Sequence, residues 1–179
     1  MSPARPRAGR YLRRNARYLL VVWGGCAIAG VVVGLLWVWL APRELMKVYA
    51  GVAYPDTFQP RAFITADAVL VGLLALAGLA VTTVLLLRHR ARPVRVLIAS
   101  VIGGAIAGVI AWRLGEALGS VDVTALAKVA DDGTRFYAGL RMRMWTDLLA
   151  WPIVAAFIVL LATLLDWWRE PDPRSRRPR

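Results

Sequence analysis

Residues 19–41 read "LLVVWGGCAIAGVVVGLLWVWLA", 23 consecutive residues without a charge. At about 1.5 Å of rise per residue, roughly 20 apolar residues carry a helix across the ~30 Å hydrocarbon core of a bilayer. A segment this apolar on every side needs an apolar solvent, so it reads as a membrane span. It is longer than the about 7–15 residues of a signal-peptide core. No small-residue cleavage site follows it in "WVWLAPRE", so it is expected to be a retained anchor.

Three more stretches qualify by the same test. Residues 68–87 and 148–165 carry no charge, and residues 96–114 carry only Arg113. The expected fold class is therefore an all-α membrane protein, a four-transmembrane-helix bundle. Tails at 1–18 and 166–179 flank it, and loops at 42–67 and 115–147 join the helices on one side. Composition agrees: 59% of the 179 residues are hydrophobic, against about 45–50% in soluble domains.

The net charge of +12 raises nucleic acid as a partner, but the basic residues sit in short flanks beside apolar runs. They lack the aromatic interleaving and the basic face of a nucleic-acid reader, so no nucleic acid is expected. Their placement instead orients the chain, because Lys and Arg concentrate in cytoplasmic segments. Arg5, Arg7, Arg10, Arg13, Arg14 and Arg17 precede the first span. Arg88, Arg90, Arg92 and Arg95 join the second to the third, and Arg169, Arg174, Arg176, Arg177 and Arg179 follow the fourth. These fifteen face three acids, whereas the other two loops, with Arg113 and Glu116 included, balance eight bases against eight acids. Both termini are expected to be cytoplasmic, with the basic tails against anionic lipid at about 1 kcal/mol per residue near the surface. Trp37, Trp39, Trp112 and Trp145 are expected at the outer interface and Trp167 and Trp168 at the inner one. Trp23 suits the inner side, and Trp151 lies deeper, as a packing residue.

Membrane helices associate through small residues that let backbones approach. Gly30 and Gly34 form a GxxxG in the first span, and Ser100, Gly104 and Gly108 recur every four residues in the third. Packing within the chain and pairing with a second copy both use such stripes. In the outer loops, "KVYAGVAY" alternates like a strand, and "YPD" marks a turn. In "GSVDVTALAKVADDGTRFYAGLRMRM", a short helix at "VTALAKVA", a turn at "DDGT" and an extended "RFYAGLRMR" are expected. One strand from each loop would then pair as a small β-ribbon over the outer face.

Within "VIAWRLGEALGS", residues 109–120, Arg113 and Glu116 share a helix face if the third helix continues to Gly119. Asp67 and Asp147 open the second and fourth spans at similar depth. These four form the candidate polar cluster. Ionisable groups in spans are functional candidates, yet at span ends they also serve as first-turn acids and interfacial anchors; both roles stay open.

Other chemistry is excluded by residue count. One cysteine, Cys26, and one histidine, His89, rule out a thiol pair, a disulfide within the chain and a multi-histidine metal or haem site. No serine–histidine pair lies within the spans, and no phosphate-binding glycine loop occurs. No cofactor, metal or catalytic residue is expected.

The stretches "FITADAVLVGLLALAGLAV", "AWRLGEALGS" and "GLRMRMWTDLLAWPIVAAFIVLL" together resemble a family of small actinobacterial four-span membrane proteins of unknown function. The matching positions include Asp67, Trp112, Arg113, Gly115, Trp151 and Pro152, and the resemblance leaves out both tails. It implies a location and an architecture, and no activity. The expected function is an integral plasma-membrane protein, a non-catalytic accessory or scaffolding component of a cell-envelope-associated complex. Its expected partners are anionic lipid, a membrane protein or a second copy. A small transporter or ligand sensor using the cluster around Arg113 is the alternative. A third reading, an enzyme acting on a lipid-linked substrate, would need acids among Glu116, Asp131 and Asp132.

Overall fold

The computed structural model describes residues 6–56, 61–89 and 92–169. Arg5, Arg90 and the tail 170–179, with four of its arginines, lie outside the described residues. The chain is mostly helical. Helix α1 runs Pro6–Leu40, α2 Arg61–Arg88, α3 Pro93–Gly119, α4 Val123–Val129 and α5 Ala150–Arg169. Strands β1 (Leu45–Tyr49) and β2 (Val52–Pro55) lie between α1 and α2. Strand β3 (Arg135–Tyr137) and a 3-10 turn (Trp145–Leu149) precede α5. Helices α1, α2, α3 and α5 each contain a stretch long and apolar enough to cross a membrane.

Many large apolar side chains point out of the bundle, and the inward face of α3 is built mostly of small ones. Ile28, Ile64, Leu76 and Phe157 are exposed, while the buried face of α3 runs Ala99, Ser100, Gly103, Gly104, Ala107, Gly108, Ala111, Gly115. That is the arrangement expected where the solvent is as apolar as leucine and association rests on close packing. Helix α1 packs chiefly on α3, and α5 lies against α2 and α3. The GxxxG of α1 serves this intrachain seam. A Cβ at Gly30 would stand 2.5 Å from the Ala107 carbonyl oxygen, and one at Gly34 2.9 Å from that of Ala111. No side chain larger than hydrogen fits there without moving backbone.

Two tryptophans fill the joints between helices. Trp151 of α5 lies against Gly78 of α2 and Gly104 of α3. Its indole N–H points at the Ser100 hydroxyl at 3.5 Å, and that hydroxyl pairs with Thr82 of α2 at 2.5 Å. Ser100 thus links three helices through its buried hydroxyl, and Gly108 makes ordinary contact with Leu148. Trp37 departs from the interfacial belt expected for it. It is fully buried, it packs against Gly115, and its indole N–H donates to the Ala66 carbonyl at 2.8 Å. The glycine opposite leaves a slot that an indole fills, and the slot outweighs the interface preference. Trp39, Trp145, Trp167 and Trp168 are exposed.

The cap over one end is a three-stranded antiparallel sheet in the order β2-β1-β3. "KVYAGVAY" forms a hairpin where a single strand was expected. Lys47 pairs with Tyr54 and Tyr49 with Val52, around a turn at Ala50–Gly51 where φ is +53° and +74°. A two-residue turn with positive φ at both positions matches the right-handed strand twist. Because two is even, the alternation of side chains runs through the turn unbroken, and a pattern reading sees one strand. From the second loop only β3 joins, pairing Leu45 with Tyr137 and Lys47 with Arg135.

All four long helices extend beyond the spans read from hydropathy, and at two of the ends a contact accounts for it. Helix α2 starts at Arg61 because the Glu44 carboxylate accepts the Ala62 amide at 3.1 Å, satisfying a first-turn donor from outside the helix. Helix α3 continues to Gly119, whose carbonyl accepts the Leu140 amide at 2.8 Å.

Candidate functional site

The cap end carries the charged groups of interest. Asp67 sits in the second turn of α2, since that helix begins six residues earlier, so it is not the first-turn acid that hydropathy suggested. Asp147 sits in the 3-10 turn that leads into α5. Both are more than nine-tenths buried, at 7% and 8% exposure. They are near enough for their charges to act on one another. The Arg143 backbone amide donates to the Asp67 carboxylate, and the Arg143 guanidinium acts on the same group. Asp67 Oδ1 and Asp147 Oδ2 are buried and have no hydrogen-bond partner among the described residues. Like charges in a low-dielectric interior repel strongly, and a buried carboxylate oxygen without a donor is costly. Arg143 is the cation beside Asp67.

Arg113 and Glu116 are not brought into that pair, nor to each other. Glu116 is half-buried, and its Oε1 accepts the Met142 amide at 3.0 Å. Arg113 is exposed, with its guanidinium 4.5 Å from the ring centroid of Trp112. Trp112 in turn meets Trp145 edge to face at 4.6 Å. Of the four candidate residues, the structure joins two, uses one to fasten the cap, and leaves one on an aromatic face at the bundle's rim.

The acids of the cap are mostly engaged with backbone. Asp122 accepts the amides of Thr124 and Ala125 and so starts α4. Asp132 accepts the Ala50 amide at 2.8 Å, holding the hairpin turn whose alanine has a left-handed φ. Asp131 contributes its main-chain carbonyl, which accepts the Thr134 amide. Asp56 pairs with Arg135 at 3.4 Å across the sheet. Beside these lies a cavity of about 560 Å³, walled by the end of α3, the start of α4, Met46 of β1 and the segment Ala138–Arg143. Its charged lining residues are Glu116, Asp122, Arg141 and Arg143.

At the opposite end of the bundle, Arg95 lies 3.9 Å over the Tyr18 ring, and His89 meets that ring edge-on at 4.9 Å. His89 Nδ1 is 3.2 Å from the Leu85 carbonyl. This cluster joins α1 to the connection between α2 and α3. Cys26 is fully buried, against Gly103. No group of three or more His, Cys, Asp or Glu side chains suited to a metal occurs among the described residues.

Glu44 and Arg143 are the residues that sequence reasoning passed over. Glu44 is 5% exposed, and Arg143 connects the cavity wall to Asp67. Neither lies at a spacing that marks it, because each acts on an element distant in sequence. Comparison of the chain with protein-family models, with curated proteins and with solved structures finds no match.

Proposed function

We propose that the chain is a multi-pass plasma-membrane protein with both termini cytoplasmic, whose capped end forms a fixed outer platform for a cell-envelope complex. In this reading it is a non-catalytic accessory component. The observation that supports it is the use made of the cap's acids: Glu44, Glu116, Asp122 and Asp132 each accept a backbone amide. Polar groups that a catalyst would turn toward substrate are here fastening loops to helix ends. The fifteen basic residues at the tails and the α2–α3 connection support the orientation.

Gentle extraction, affinity purification through a C-terminal tag and mass spectrometry test the accessory role. A stoichiometric membrane-protein partner or a second copy is expected; a chain that comes out alone overturns it. Single cysteines placed at Asp56 and Ser175 in a Cys26→Ala background test the orientation. An impermeant thiol reagent added to intact cells is expected to label the first and spare the second.

The cavity beside a buried acid pair favours a second reading, a small-ligand sensor at the same face. Its centre is Arg141 and Arg143 of the cavity wall, with Arg113 about one helical turn before Glu116 on α3.

A further inference from the structure

We propose that the cavity at the cap end binds the phosphate-bearing headgroup of an anionic lipid that reaches it along the exposed face of α3. The phosphate is held by Arg141 and Arg143. This rests on the ligand-sensor reading and names its ligand class.

Size is the first support. About 560 Å³ falls inside the roughly 300–1,000 Å³ of small-molecule sites, room for a headgroup and too little for acyl chains as well.

The lining is the second. Arg141 is exposed, lines the cavity, and has no side-chain partner among the described residues. Arginine binds phosphate through two parallel N–H groups, and two arginines at alternate positions of one extended segment present such groups together. The two acids in the wall do not oppose this with all their oxygens. Glu116 holds the Met142 amide, and Asp122 holds those of Thr124 and Ala125. The Ser120 and Thr124 hydroxyls supply further donors.

The approach is the third, and it distinguishes a lipid from a soluble phosphate. Ile98, Ile102 and Val109 are exposed along α3, and the same helical stripe continues through Arg113 to Glu116 and Ser120 in the cavity wall. An acyl chain lying on the isoleucines therefore brings its headgroup past Arg113, held on Trp112, into the cavity. Met46 and Leu140 give that end an apolar lining. Because Arg143 also acts on Asp67, an anion on its guanidinium weakens its hold on that acid. Occupancy and the surroundings of Asp67 are thus linked.

The test is native mass spectrometry of the full chain, titrated with phosphatidylglycerol and, separately, with phosphatidylcholine. Phosphatidylglycerol is expected to be retained preferentially. Arg141→Ala is expected to lower its occupancy about tenfold, the effect of one lost charge-assisted hydrogen bond. Arg135→Ala, on the sheet and outside the cavity, is expected to leave it unchanged. Arg141 is chosen because Arg143 also supports Asp67; a thermal midpoint equal to that of the unaltered chain shows that Arg141→Ala is folded. Equal retention of the two lipids, or unchanged binding in folded Arg141→Ala, overturns the proposal. A fall in thermal midpoint for Arg141→Ala and not for Arg135→Ala also overturns it, by making Arg141 a structural residue. Displacement of the lipid by an equal concentration of glycerol phosphate overturns the lipid while leaving the ligand-sensor reading intact. A cavity that holds neither overturns both.

Discussion

Trp37 and Gly115 meet ring against backbone, so closely that a Cβ on Gly115 would stand 2.6 Å from Cζ3 of the indole. The contact joins α1 to α3 just beneath the cap, and the Trp37 N–H ties the same point to Ala66 of α2. Three of the four long helices therefore share one residue's slot. Gly115→Ala is expected to lower stability by about 1–3 kcal/mol, the cost of overpacking a filled site. Thermal unfolding in mild detergent, followed by circular dichroism, reads it. Gly24→Ala is the control. Nothing lies within 4 Å of a Cβ there, and alanine is the better helix former by up to about 1 kcal/mol.

The hairpin turn makes the opposite prediction. Ala50 holds φ +53°, a region that costs a side-chain-bearing residue about 1–2 kcal/mol. Ala50→Gly is expected to stabilise the hairpin, slowing amide exchange across β1 and β2. Asp132→Ala removes the acceptor of the Ala50 amide and is expected to speed exchange there first. Equal exchange in both variants would mean that the turn is held by the sheet and not by its own residues.

Hydropathy located the four long helices because each must be apolar around its circumference, a property summed over some twenty residues. The helix ends were less legible, and the reason is particular. Arg61–Ala66 is helical because Glu44 supplies a cap from another segment, and a window along the chain does not contain that contact. Trp37 and Trp39 show the same limit: two residues apart, both near a span end, one is fully buried and the other 83% exposed. Two residues apart they point to opposite faces of α1, and only the packing of α3, with Gly115 against Trp37, decides which face is inside. For the candidate cluster, sequence depth grouped four charges, but helix rotation decides which of them face one another. It brings Asp67 to Asp147 and turns Arg113 away.

Arg113 and Glu116 therefore behave as independent residues in spite of their i,i+3 spacing. Arg113→Ala is expected to change stability by less than about 0.5 kcal/mol, the range of surface substitutions. Glu116→Ala leaves the Met142 amide without its acceptor and is expected to cost about 1–3 kcal/mol. The double variant should equal the sum of the two. A coupling energy well above about 0.5 kcal/mol would place the two charges in contact and return them to one site.

Asp67 and Asp147 give the converse case, two buried acids 80 residues apart in sequence and near enough for their charges to interact. Each leaves a buried carboxylate oxygen without a donor among the described residues, and their charges act on one another. Asp147→Asn keeps the side chain's shape, removes one charge and adds N–H donors, so it is expected to raise the thermal midpoint. Asp67→Asn removes the same repulsion while its carbonyl oxygen still accepts the Arg143 amide, and it too is expected to stabilise. The repulsion can be relieved only once, so the double variant should gain less than the sum, with a coupling of about 0.5–3 kcal/mol, as for residues sharing one network. Simple additivity would separate the two acids. Destabilisation by either single change would show that the carboxylate's charge is needed, most directly to hold the Arg143 guanidinium at the cavity wall.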